Sequence, residues 1–279
     1  MSGRVSEVMV DGVRLAIDRV GQGPTVVCLN AICHDATDFD PLAARLGGAF
    51  EFVRLEWPGH GRSGADHMPA SAARYARLVE LALDALGIER PILIGNSIGG
   101  AAAILVASRR PVAAVVLCDS GGLVEVDATV RRFCGLFAAF FHAGERRRAW
   151  FRPVFGLYYR LVLPSPSARA QRESIVRGAY ATARIAREAW ESFGRPEADI
   201  RAVAALLKAP VWAAWARDDK VIPLARRRAS LEAIPDVTIS LFDGGHSAFL
   251  EQPEAFAEGF RAFAARLAPR TAAAATLAG

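Results

Sequence analysis

Short, wholly apolar segments alternate with helical segments between residues 25 and 118, and this alternation is the strongest constraint on the fold. Residues 25–30, 91–95 and 112–118 each predict a short buried strand. Residues 70–86 and 98–108, which lie between strands, predict helices from their apolar spacing or their small residues. Strands that are apolar on both faces lie in a parallel sheet that helices cover on both sides. The sequence therefore predicts an α/β fold.

The alternation extends in both directions from this region. Residues 5–10 and 13–20 flank Asp11-Gly12, a two-residue turn signal that predicts a β-hairpin. Residues 50–57 predict a further strand, which ends at Pro58-Gly59. Beyond residue 208 the pattern predicts strands at 211–216 and 237–242 and helices at 224–234 and 254–267.

Residues 123–208 interrupt this pattern. They are helical in spacing, dense in aromatic residues and arginine, and broken by prolines at positions 153, 164 and 166. We interpret them as a helical insertion into one core that comprises residues 1–122 and 209–279. The last residues, TAAAATLAG, have low complexity and are expected to fray.

The strongest chemical motif is Gly-Asn-Ser-Ile-Gly-Gly at residues 95–100, between a predicted strand and a predicted helix. A serine on such a sharp turn projects its hydroxyl above the carboxyl edge of the sheet. The free N–H groups and the positive dipole end of the following helix point toward the same place. Ser97 is therefore the candidate nucleophile.

Two later loops supply a candidate base and a candidate acid. His246 ends the sequence Asp-Gly-Gly-His after the last predicted strand, from where it can reach the same sheet edge as Ser97. Asp219 follows the strand at 211–216. An aspartate bonded to such a histidine fixes its tautomer and stabilises the imidazolium. Ser97, Asp219 and His246 thus predict a serine hydrolase triad.

These motifs together resemble the α/β-hydrolase superfamily over residues 5–267. The chain order Ser, Asp, His is that of the family, and residues 58–64, Pro-Gly-His-Gly-Arg-Ser-Gly, are similar to its P-G-x-G-x-S turn. The family's G-x-x-D-x-x-x-P stretch matches residues 216–223, with alanine at the first position. The resemblance implies a mostly parallel sheet flanked by helices, a helical cap at residues 123–208, and Asp219 as the acid.

The same resemblance implies an oxyanion hole made of two backbone N–H groups. Ile98 follows the nucleophile, and Ile32 lies by position on the loop after the strand at 25–30. That loop has Asn30-Ala31 where the family usually has His-Gly, and alanine tolerates a positive φ less well than glycine. One such donor is worth about 3–4 kcal/mol in the transition state.

Four further residues are candidates for substrate contact. Asn96 precedes the nucleophile, as in the meta-cleavage product hydrolases, which cleave a C–C bond. Asn30 and His34 lie on the loop expected to carry the oxyanion hole. Arg172 is one of several arginines of the insertion that could meet an anionic substrate. Aromatic residues of the insertion could line an apolar pocket above Ser97.

Composition argues against several other classes of protein. The net charge is +5, but lysine occurs only at positions 208 and 220, and the arginines form no nucleic-acid-binding motif. No apolar run approaches the roughly 20 residues of a membrane span, and no secretory signal is recognised. The four cysteines lack metal-site spacing. We therefore expect a cytoplasmic protein that binds a small molecule without metal, cofactor, nucleic acid or membrane. A homo-oligomer is compatible with this expectation.

Three functional hypotheses follow. The first is a serine hydrolase of a small, largely apolar carbonyl substrate, either a carboxylic ester or a vinylogous diketone cleaved at its C–C bond. The second is a cofactor-free oxygenase with a His–Asp dyad, because residues 33–35 and 56–61 resemble dioxygenases of this fold. Its acid would be Asp119, and the intact motif around Asp219 argues against it. The third is a non-catalytic ligand-binding module, which would usually have lost a triad residue.

Overall fold

An eight-stranded sheet forms the centre of the molecule in the computed structural model, which describes residues 4–267. The strand order is β1-β2-β4-β3-β5-β6-β7-β8; β2 runs antiparallel to β1 and β4, and all pairs from β4 to β8 are parallel. This confirms the predicted α/β class and its mostly parallel sheet. The strands are β1 Arg4–Val10, β2 Val13–Gly21, β3 Thr25–Leu29, β4 Glu51–Leu55, β5 Ile92–Asn96, β6 Ala114–Cys118, β7 Val211–Ala216 and β8 Val237–Phe242.

Helices cover the sheet and form the insertion. They are α1 Asp40–Leu46, α2 Ala72–Ala85, α3 Ile98–Arg109, α4 Ala128–Glu145, α5 Phe151–Val162, α6 Arg169–Arg177, α7 Ala179–Phe193, α8 Arg201–Ala204, α9 Arg228–Glu232, α10 Ala248–Glu251 and α11 Pro253–Ala265. Every residue of β5, β6 and β7 is buried. Continuous burial along a strand requires cover on both faces of the sheet.

Three helices depart from the sequence prediction. The helix predicted at 224–234 is a 3₁₀ turn, Leu224–Arg226, followed by the short α9. The last helix begins at Pro253, because proline is favoured in the first turn and cannot continue α10. Helix α1 is not predicted from the sequence, since its seven residues are too few to show a helical period.

The insertion between β6 and β7 contains α4 to α8. Helices α4 and α7 pack along each other, and Phe137 of α4 stacks on Trp190 of α7 with ring centroids 4.4 Å apart. Phe155 of α5 is fully buried and contacts Phe141 and Tyr159. These contacts account for the aromatic density of the segment; its division from the core as a cap remains our interpretation.

No helix in residues 4–267 is long and apolar enough to cross a membrane. The low-complexity tail that is expected to fray begins at residue 271 and lies outside the described residues.

Candidate active site

Ser97 occupies a strained turn between β5 and α3. Its backbone has φ +56° and ψ −116°, a conformation that is rare and costly for a residue with a side chain. The Ser97 N–H donates to the Cys118 carbonyl at 3.1 Å, and the Ser97 carbonyl accepts from the Gly121 N–H at 3.0 Å. The end of β6 therefore holds the turn in place.

The glycines of the motif allow the backbones around this turn to approach closely. A Cβ atom on Gly95 would lie 2.3 Å from the Gly99 carbonyl oxygen, and one on Gly99 would lie 2.2 Å from the Leu29 carbonyl oxygen. Both distances are far below any van der Waals contact, so only glycine fits either position without moving the backbone. The spacing G-x-S-x-G thus follows from the packing of the start of α3 against β3 and β5.

His246 and Asp219 form a buried hydrogen-bonded pair. His246 Nδ1 lies 2.8 Å from Asp219 Oδ2, while Asp219 Oδ1 accepts from the N–H groups of Val221 and Ile222 at 2.7 and 2.8 Å. Burial would raise the pKa of Asp219, but His246 and these donors outweigh burial and lower it below its ordinary value. An anionic Asp219 keeps the proton of His246 on Nδ1 and leaves Nε2 free to accept one.

Ser97 and His246 line the same small cavity, together with Ile32 and His34. No hydrogen bond joins Ser97 Oγ to His246 within residues 4–267. Catalytic hydrogen bonds of this kind are often long before substrate binds. The arrangement therefore brings the candidate nucleophile and the candidate base to one cavity.

The backbone of the His246 loop is held by two buried polar residues. The Asn96 amide donates to the carbonyls of His246 and Cys118, both at 2.9 Å, and accepts from Ser247 Oγ at 2.8 Å. The Glu251 carboxylate accepts from the N–H groups of Gly245 and His246 at 2.7 and 3.1 Å. The loop that carries His246 is thus tied both to the turn at Ser97 and to α10.

The loop after β3 carries the candidate oxyanion donors. Cys33 has φ +70°, and its N–H donates to His60 Nε2 at 3.0 Å. His60 Nδ1 lies 3.1 Å from the Pro58 carbonyl oxygen, so it carries the proton. Burial lowers the pKa of His60 to about 4. A neutral His60 therefore holds this loop next to Ser97, where Ile32 lines the cavity.

A model of the Alpha/beta hydrolase family matches residues 26–259. The chain belongs to the alpha/beta hydrolase family. This confirms the resemblance drawn from the sequence motifs.

Named relatives of this alpha/beta hydrolase include esterases. A pimeloyl-[acyl-carrier protein] methyl ester esterase of Xanthomonas campestris pv. campestris is 28% identical over 263 residues, covering 90% of this chain and 99% of the relative. A thermophilic esterase from Thermogutta terrifontis superposes with a TM-score of 0.80 at 18% identity, covering 95% of this chain and 99% of the other. An enol-lactonase from Burkholderia xenovorans gives 0.78 at 20% identity, covering 93% and 100%. These two structures support the fold.

The four predicted substrate contacts of this alpha/beta hydrolase lie in different places. His34 lines the cavity of Ser97 and forms a 2.5 Å contact from its Nδ1 to Asp38 Oδ2. Asn96 is fully buried and engaged as described above, so its role is to position the His246 loop rather than to contact substrate. Asn30 is also fully buried; its amide donates to the Leu55 carbonyl at 3.4 Å.

Arg172 departs furthest from its predicted role. It lies in a groove between α5 and α6 that Ser97 does not line, and its guanidinium donates to the Leu163 carbonyl. The guanidinium of Arg172 therefore makes its hydrogen bond within the insertion. Sequence periodicity could not place it, because the helix turns Arg172 away from the cavity only once the insertion has packed.

Glu251 also contributes to the site, and the sequence motifs do not single it out. Besides the two N–H groups of the His246 loop, its carboxylate accepts from the N–H and hydroxyl of Ser165 at 3.2 and 3.0 Å. The available signal was a glutamate five residues after the candidate base, on a segment that is otherwise apolar. Its partner Ser165 is distant in sequence, and the local pattern does not reveal that contact.

Asp119 is a second buried carboxyl beside the pair. Its Oδ1 accepts from the Ala216 N–H at 2.9 Å, and its Oδ2 has no hydrogen-bond partner within the described residues. One ligand-type atom each from Asp119, Asp219 and His246 lies within 4.8 Å of the others. Burial and the neighbouring Asp219 raise the pKa of Asp119 well above its ordinary value. A neutral Asp119 and a histidine already bonded to Asp219 make a poor cation site.

The two aspartates should respond differently to substitution. We expect Asp219→Asn to lower kcat on the order of 10⁴-fold, because the amide would favour the wrong histidine tautomer. Asp119→Asn should cost less than about tenfold, since a neutral carboxyl and an amide both accept from the Ala216 N–H. Steady-state kinetics with one ester measures both. The opposite ranking would give the orienting role to Asp119.

His60 should make stability depend on pH. Its folded pKa of about 4 lies below the ordinary 6.5, so the unfolded chain binds its proton first and stability is lost as pH falls through this window. Between pH 7 and 4.5 the loss through this group should be about 2–3 kcal/mol. Urea unfolding of wild type and His60→Asn at both pH values isolates it, because the wild-type advantage should shrink by that amount. A constant advantage would contradict the burial of a neutral His60.

Proposed function

We propose that this alpha/beta hydrolase is a carboxylic ester hydrolase with Ser97 as nucleophile, His246 as general base and Asp219 as the orienting acid. The observation that carries the proposal is that Ser97, on its strained turn, lines the same cavity as His246, which is bonded to Asp219. The esterase names of several relatives support the same reaction class.

The chemistry uses side chains and backbone groups alone. His246 Nε2 takes the Ser97 proton as Oγ attacks the ester carbonyl, and the N–H groups of Ile98 and Ile32 stabilise the resulting oxyanion. Ile98 begins α3, where backbone N–H groups lack an intrahelical acceptor. Collapse of the intermediate breaks the C–O bond, and His246 returns the proton to the leaving alcohol. Water, activated by His246, then hydrolyses the acyl-enzyme.

The larger cavity that reaches Ser97 suits a small, largely apolar substrate. Its volume is about 180 Å³, below the roughly 300–1,000 Å³ of pockets for drug-sized ligands. Most of its wall is apolar, including Val130, Phe133 and Trp190 from the insertion. Burial of an acyl chain there supplies binding energy, while the polar groups act on the carbonyl.

Ester cleavage is favoured over the other sequence-based hypotheses. Residues 95–101 and 119–123 are similar to the meta-cleavage product hydrolases, but those enzymes usually have tryptophan after the catalytic histidine, where this chain has Ser247. The Asn96 amide, part of that similarity, is engaged in holding the His246 loop. The oxygenase hypothesis needs Asp119 to orient the histidine, whereas Asp219 makes that hydrogen bond. A binding module does not explain why a complete triad is retained.

The nucleophile can be tested directly. Ser97→Ala should abolish hydrolysis of p-nitrophenyl esters while the protein remains folded, because no other group can form the acyl-enzyme. A fluorophosphonate probe should label wild type at Ser97 and leave the variant unlabelled, as read by peptide mass spectrometry. Labelling at another residue, or full activity of the folded variant, would refute the acyl-enzyme mechanism.

Dependence on metal and oxygen separates the hypotheses. Since the proposed steps need neither, ester turnover should be equal with and without EDTA and in aerobic and anaerobic buffer. Initial rates under the four conditions measure this, with product analysis of a hydroxyquinolone incubated in parallel. Turnover that requires oxygen and survives Ser97→Ala would establish the oxygenase instead.

A further inference from the structure

Arg227 places a positive charge in the wall of the cavity that Ser97 lines. Its Nε is buried without a hydrogen-bond partner, and its Nη1 makes a long hydrogen bond of 3.4 Å to the Pro223 carbonyl. Within residues 4–267 no carboxylate lies within ion-pair distance of its guanidinium. The arginine therefore lies half-buried in the cavity wall without an ion pair among the described residues, and the Asp219 carboxylate acts on its charge only from beyond ion-pair distance.

Such an arrangement is costly unless a ligand compensates it. Burial and the neighbouring Arg226 lower the pKa of Arg227 to about 10, so the group stays charged at neutral pH. A desolvated charge without a partner destabilises a fold, whereas an ion pair with good geometry offsets much of that cost. The site is prepared for an anion.

The rest of the cavity wall supports this interpretation. Lys220 and Arg226 also line it, and no aspartate or glutamate does so among the described residues. Arg226 is paired with Asp127 at 3.3 Å, which leaves Lys220 and Arg227 as the unpaired cations. Both lie on the segment after β7, while α4 and α7 contribute apolar side chains. The cavity thus combines an apolar wall with a cationic wall.

We propose that the substrate is an ester that carries a carboxylate on a short apolar chain, and that Arg227 binds this carboxylate while the ester carbonyl lies at Ser97. The inference rests on the proposed ester hydrolysis and adds the substrate class. The planar guanidinium can pair with a carboxylate through two parallel hydrogen bonds, which orients the chain as well as binding it.

Matched pairs of substrates test whether a negative charge on the substrate improves hydrolysis. Monomethyl hexanedioate is compared with the methyl ester of hexanedioic acid monoamide, which has the same shape without the charge. A second pair carries the carboxylate or its amide on the alcohol side. Hydrogen bonds to charged groups contribute about 1.5–3 kcal/mol, so wild-type kcat/KM should favour the anionic ester at least tenfold in one pair, mainly through KM.

Substitution of Arg227 should remove this preference. Arg227→Met should bring the anionic-to-neutral ratio close to one, Arg227→Lys should retain part of it, and Arg227→Glu should favour an ester with a terminal ammonium. Arg228→Met is the matched control, because Arg228 is exposed, pairs with Glu232 and lies outside the cavity lining; it should leave the ratio unchanged. Thermal unfolding of each variant verifies folding.

The outcomes distinguish this inference from the proposed function. Neutral esters that are hydrolysed through a labelled Ser97 with no anionic preference in either pair would overturn the inference and leave ester hydrolysis standing. A preference that Arg227→Lys and Arg228→Met reduce equally would also overturn it. Absence of both hydrolysis and Ser97 labelling would refute the proposed function itself. If Arg227→Met does not fold, the wild-type ratio and the lysine and control variants still decide.

Discussion

The close approach of backbones around Ser97 is the constraint on which the site depends. Gly95 and Gly99 have no side chain, so the start of α3 can pack directly against β3 and β5. The strained φ of Ser97 follows from this close packing. Strain of this kind persists only where surrounding structure over-determines it. Hydrogen bonds between Ser97 and residues at and just after the end of β6 hold this conformation, so the candidate nucleophile is fixed to the centre of the sheet.

The candidate base is fixed to the same centre by different means. His246 lies on a loop, and loops are more mobile than strands, yet Asn96 ties this loop to the residue before the nucleophile. The Glu251 carboxylate accepts hydrogen bonds from N–H groups of the same loop and from the Ser165 hydroxyl of the insertion. The position of His246 therefore depends on contacts with both the sheet and the insertion.

How much the sequence could predict depended on how local each signal was. Ser97, Asp219 and His246 each follow a strand in a short motif, and parallel strands bring such positions to one edge, so pattern alone brought them together. Asn96 and Glu251 act through partners that are distant in sequence, His246 and Ser165. Arg172 and Arg227 are residues of the same type, and packing decides which of them lines the cavity of Ser97. Residue type predicted that an arginine could bind an anionic substrate. Which arginine is placed to do so depends on the cavity, which forms only when the chain folds.

Charge balance joins these parts into one electrostatic environment. Two ionised aspartates so close to His246 would repel each other and any anionic substrate, and burial avoids this by keeping Asp119 neutral. The negative charge that remains on Asp219 serves the histidine. The Asp219 charge also acts on the Arg227 guanidinium, which makes no ion pair among the described residues and so can bind the carboxylate proposed above. Because Asp119 is neutral, the negative charge beside His246 resides on Asp219, the residue bonded to its Nδ1.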